Sequence, residues 1–168
     1  MNLRGNAARA HAGRLRALAA LLILLTVAPS PFAQQGFAGD WQVVKAENAP
    51  WLAGRPELRP TAEPEFAHAR ISFRPDRVIG PAWFHCKKPK YEIMMLDFDG
   101  LFEGGLSDPE HGMNDPAKSA RRLGFKAEPV TSMLTGCSEL LFHLADADRA
   151  MFGLNNMIYT MTRQHVAK

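Results

Sequence analysis

Cysteine is scarce: the 168 residues hold two, Cys86 and Cys137. That excludes a disulfide-dense scaffold and a four-thiolate metal centre. The two lie far apart in the chain, so the short spacing of redox and zinc motifs is absent as well. No stretch reads Gly-x-Ser-x-Gly, and no two of His68, His85, His111, His143 and His165 stand at a metal-binding helical spacing. The longest strongly apolar run, "ALAALLILLTVA" from Ala17 to Ala28, falls short of the ~20 residues that span a bilayer. A concentrated basic face is missing too. The formal net charge is +3, and Arg4, Arg9, Arg14 and Arg16 supply it before the apolar run begins. The remainder is close to neutral, which excludes a nucleic-acid footprint. "CKKPK", Cys86 to Lys90, is the one dense basic patch and reads as a solvated loop.

What is present at the N-terminus has the layout of a secretory leader: a basic segment without acids, an apolar run, then "PSPFA" with small Ala33 before "QQ". Residues 1–33 are therefore expected to be a signal peptide and 34–168 a single β-barrel domain, periplasmic or secreted and without a transmembrane anchor after cleavage. No cysteine lies near the cleavage site, so lipoprotein processing is excluded. In an exported chain two cysteines are expected to form one disulfide, Cys86 to Cys137. A closed loop of about fifty residues implies roughly 4 kcal/mol of stabilisation in the chain-entropy account.

Short strands dominate the rest. "WQVVKA" from Trp41 alternates, with Trp41, Val43 and Lys45 on one face. "ARISF" places Ile71 and Phe73 together, and "RVIG" follows a "RPD" turn as its hairpin partner. "YEIMML" sets Tyr91, Ile93 and Met95 against Glu92, Met94 and Leu96. "ELLFHLA" puts Leu140, Phe142 and Leu144 opposite Leu141 and His143. "AMFGL" and "NMIYTMTR" flank an Asn155-Asn156 turn. Two stretches differ. Asn48 to Ala69, rich in Pro and Ala, reads as a long loop with one short helical turn. "NDPAKSARRLGF" reads as a short helix, with Asp115 as cap, Pro116 in the first turn and Gly124 at its end. The expected fold class is all-β: an antiparallel barrel of about eight strands with one short helix and one disulfide.

Gly39 and Trp41 in "GDW" at the start of the first strand, with Arg163 in the last, resemble the lipocalin-like (calycin) barrels. That resemblance implies an indole packed across one end of a barrel, under a basic side chain from the final strand. Trp41 and Arg163 would then be a barrel-closing pair, with Met157, Tyr159 and Met161 facing inward. A guanidinium over an indole is worth about 0.5–2 kcal/mol. The chain also resembles small exported bacterial proteins in "RVIGPAWFHCKKPKYE" and "TGCSELLFH".

The remaining constellations are weak as chemistry. Asp97, Asp99 and Glu103 in "LDFDGLFEGG" lack the further ligands of a calcium loop and read as a polar turn with Phe98 inward. His111 and Met113 are a thin basis for copper, and the strand methionines read as core fillers. No metal, cofactor or catalytic residue is expected, and the chain is not read as an enzyme. Trp83, Phe84, His85, His143 and Tyr159 are the candidate pocket or rim residues, the first three crowded beside a Gly-Pro turn and Cys86. The expected role is binding of a small apolar ligand inside the barrel. The alternative is inhibition of an exported hydrolase, a protease or lysozyme, through "RPELRPTAEPEF" or "SDPEHGMND".

Overall fold

The computed structural model describes residues 36–165 except 54, 56 and 59. The leader expected over 1–33 lies outside the described residues. Nine strands form one antiparallel sheet: β1 (Gly39–Asn48), β2 (Arg70–Arg74), β3 (Arg77–Ile79), β4 (Cys86–Lys87), β5 (Glu92–Leu96), β6 (Val130–Leu134), β7 (Leu141–Asp146), β8 (Arg149–Leu154) and β9 (Met157–Arg163). Their order is β4-β3-β2-β1-β9-β8-β7-β6-β5. The first and last long strands therefore meet at the middle of the sheet, in a register that sets Trp41 opposite Arg163.

The sheet curls into a half-barrel and stays open between β4 and β5. The seam is tied rather than laddered. The Tyr91 hydroxyl, just before β5, donates to the Arg74 carbonyl of β2 (2.7 Å). The Cys86–Cys137 disulfide joins the β4 margin to the β6–β7 connection, with Cα atoms 5.8 Å apart. One covalent bond thus crosses the seam where strand pairing does not.

Both faces of the sheet are covered, which blurs the period-two pattern. Ala150, Phe152, Tyr159 and Phe142 turn to one side and join Trp41, Phe66, Phe73 and Phe84. Their neighbours Met151 and Ile158 turn to the other side and meet Leu101, Phe102, Leu106 and Phe125. The concave side is filled by rings. Phe66 stacks on Phe84 at 5.2 Å, and Phe152 stacks on Tyr159 at 4.9 Å. Offset and edge-on ring pairs of this kind add to the burial term.

Several local expectations change. A bulge between Val43 and Lys45 turns Val44 outward, 47% exposed, and Lys45 does not continue the face of Trp41 and Val43. Met95 is 54% exposed on β5, the margin strand of the sheet, where its sulfur accepts from the Thr131 hydroxyl (3.5 Å). The Asn48–Ala69 stretch holds two 3-10 turns, Pro50–Leu52 and Pro64–Phe66, and sends Phe66 fully into the core. "LDFDGLFEGG" is more than a polar turn. Residues Phe98–Ser107 coil over the outer face and bury Phe98, Leu101, Phe102 and Leu106. The helix α1 (Pro116–Leu123) has the expected ends: Asp115 accepts from the Lys118 amide, and Gly124 closes it in the left-handed region.

Candidate functional site

Three segments converge at one end of the half-barrel and leave a cleft of about 800 Å3 between them. The first is the outer coil. Phe102, Glu103 and Gly104 have φ of 51°, 59° and 84°, three left-handed residues in succession. Two of them carry side chains, so this backbone is strained and must be held by its surroundings. Two contacts hold it. The Phe98 amide donates to the Glu128 carboxylate (3.0 Å) at the start of the coil, and the Phe102 amide donates to His143 Nε2 (3.1 Å).

The second wall is the β6–β7 connection, Cys137 to Leu140, anchored by the disulfide. The third is the β8–β9 hairpin turn, where Asn155 and Asn156 sit at φ 50° and 61°. Asparagine tolerates that geometry, which matches the twist of a two-residue hairpin. Asn156 Oδ1 accepts from the Trp51 indole (2.8 Å). The Trp51 ring then lies flat against Gly105, where a Cβ would meet it at 2.8 Å. Trp83, from the β3–β4 connection, closes the rim and is 48% exposed. Glu103, Asp108 and Glu139 are the acidic lining groups, and no lysine or arginine stands among the described lining residues.

His143 forms part of the floor. It is fully buried. Nε2 accepts from the Phe102 amide, so the ring proton sits on Nδ1 and is donated to Ser132 Oγ, 2.8 Å away. Burial pushes its pKa down to about 3 and keeps the ring neutral. In this tautomer Ser132 receives a hydrogen bond and passes its own to the Val130 carbonyl at 3.4 Å. The histidine is therefore not placed to take the serine proton, and a Ser–His nucleophile is not assembled here.

The other candidates fall elsewhere. Phe84 is fully buried in the ring cluster beneath the rim, because the Gly80-Pro81 turn directs it inward and Trp83 outward. His85 is exposed and does not line the cleft. Tyr159 belongs to the core, where its hydroxyl accepts from the Glu63 amide (2.8 Å). Burial raises its pKa. It borders a second hollow of about 220 Å3 beside the β1 bulge. Asp97 and Asp99 are exposed, and among the described residues no three His, Cys, Asp or Glu side chains come together as metal ligands. Arg163 lies over Trp41 with its guanidinium carbon 4.3 Å from the ring centroid. It also donates to the carbonyls of Gly36, Ala38 (2.6 Å) and Ala147 (2.9 Å). This is a clamp between chain segments and is remote from the cleft lining.

Sequence reasoning reached Trp83 and His143 but passed over Trp51, Phe102 and Glu139. Trp51 stands in a Pro-rich loop without periodicity, and its one signal was a large ring beside "NAP". Compared with known proteins, the chain matches no family model, no curated sequence and no solved structure.

Proposed function

We propose that the protein is an exported, non-catalytic binding protein that holds a small organic ligand in the end cleft. The observation that carries this reading is the contrast between the two sides of the sheet. The concave side is filled by its own aromatic rings, while an open cleft of about 800 Å3 with tryptophan walls stands at the end. That volume falls in the range that buries a drug-sized ligand. The ligand is thus assigned to the end cleft instead of the barrel interior. Export is supported by the basic and apolar leader and by the disulfide. A lipocalin-like relationship is supported by the pairing of first and last strands and by Arg163 over Trp41.

The test is native mass spectrometry of protein purified from its own cells, followed by organic extraction. A reproducible extra mass, lost on replacing Trp51 and Trp83 with alanine, is the expected result. A bare polypeptide mass from every preparation, with capture of an exported hydrolase in its place, overturns the carrier reading.

A further inference from the structure

We infer that residues 102–105 form an acid-released flap over His143: when the imidazole takes up a second proton, the flap lifts and the coil wall of the cleft opens. The motion follows from the geometry of the site; what it would release rests on the carrier reading above.

The flap is held in a conformation that its own backbone does not favour. Phe102, Glu103 and Gly104 stand at φ 51°, 59° and 84°. Left-handed residues with side chains persist only where their surroundings hold them. Leu101 and Leu106 bracket the segment and are both fully buried, so it can move while its ends stay seated. Ser107 Oγ donates to the Gly104 carbonyl (3.1 Å), and the Phe102 ring meets the imidazole edge-on with centroids 4.7 Å apart. At the centre one bond fastens the flap to the sheet, from the Phe102 amide to His143 Nε2.

A neutral imidazole serves there because Nε2 accepts while Nδ1 donates to Ser132 Oγ. An imidazolium has two N–H groups and no acceptor. A second proton on Nε2 therefore meets the Phe102 N–H head-on. Turning the ring over does not repair this, since both nitrogens then donate. The ring is fully buried yet belongs to the cleft floor. Lifting the flap hydrates it from the cleft, and the sheet need not open. Protonation is favoured in the lifted state and opposed in the seated one, which lets one proton shift the balance between two conformations.

Other ionisable groups surround the site. The coil carries Asp99 and Glu103, and the Glu128 carboxylate holds the Phe98 amide. Asp108 and Glu139 border the cleft. β6 carries no charged residue, and β8 carries Arg149, which pairs with Asp146 of β7 (3.3 Å). Each ring nitrogen of His143 has a neutral partner, the Phe102 amide or the Ser132 hydroxyl.

The test is residue-resolved amide hydrogen exchange between about pH 6 and about pH 4, corrected for the chemical exchange rate at each pH, with and without about 1 M urea. The amides of residues 102–104 are expected to open about tenfold more for each pH unit lost, the slope of one proton, and to ignore urea, the mark of a local opening. The amides of β9 are expected to open far less and to respond to urea. His143→Gln is expected to lose the slope at residues 102–104, whereas Glu103→Gln keeps it. Should the histidine variant fail to fold, the pH and urea responses of the unaltered protein decide. Exchange of residues 102–104 only together with β9 overturns the inference, because the flap then has no motion of its own. A local opening that ignores pH overturns it as well. So does a slope that survives His143→Gln, which assigns the response to the surrounding carboxylates. The measurement reads amides and no ligand, so its failure leaves the carrier reading standing. A bare polypeptide in the native extraction overturns that reading and leaves the flap in place.

Discussion

The backbone amide of Phe102 ends on Nε2 of His143, 3.1 Å away, and this bond determines the ring's tautomer. It joins a strained outer coil to β7. Replacing His143 with leucine leaves the Phe102 amide and the Ser132 hydroxyl short of a buried partner. The expected loss is about 2–4 kcal/mol in urea unfolding. A loss under about 0.5 kcal/mol would show that the coil holds its left-handed turn without the histidine.

The same residue sets a pH dependence. Its folded pKa is depressed, from 6.5 to about 3. The unfolded chain therefore takes up a proton near pH 6.5 that the folded chain refuses. The stability contributed by the neutral ring is complete above that point and is lost as pH falls from about 6.5 towards 3. Unfolding free energy is expected to decline across this window, and a His143→Gln variant is expected to decline less. Parallel profiles for the two proteins would assign the acid sensitivity to other groups.

Arg163 is expected to matter for stability and not for ligand binding. Alanine at this position removes the guanidinium from Trp41 and leaves three carbonyls without their donor. A cost of about 2 kcal/mol or more is expected in thermal melts. An unchanged melting curve would remove the clamp from the account of how β1 and β9 are held.

Gly105→Ala tests the seat of Trp51. The new Cβ would come within 2.8 Å of the ring, so the ring must shift from the position in which it bonds Asn156. The expected outcome is a shift in tryptophan emission, a loss of about 1–3 kcal/mol from overpacking, and weakened ligand binding. Unaltered emission would mean that Trp51 is not fixed on that glycine.

Replacing both cysteines with serine is expected to cost about 4 kcal/mol if loop entropy dominates. Hydrogen exchange should quicken in β4 and in residues 135–140 before it quickens in β9. Non-reducing peptide mapping should recover the Cys86–Cys137 crosslink, and two free thiols would contradict it.

Much of the sheet was legible because its signals are local. Ile71 and Phe73 alternate with polar neighbours, Asn155-Asn156 marks a hairpin, and Asp115, Pro116 and Gly124 punctuate α1. The strands β4 and β6 were passed over for different reasons. β4 is two residues long and exists through its pairing with β3. β6 is covered on both faces, so Val130 and Met133 bury to opposite sides and no alternation survives. The cleft was illegible because its walls come from segments far apart in the chain. The left-handed run at Phe102 and Glu103 has no local cause. It is imposed by burial of Phe102 and by a histidine some forty positions away.

Cys137 borders the cleft while Cys86 belongs to the opposite margin of the sheet. That wall of the cleft is therefore tethered from across the seam, and only while the two sulfurs are joined. A reduced chain can assemble its strands and still lack a firm third side to the cleft. On the carrier reading proposed above, capture would wait until the two cysteines have been oxidised.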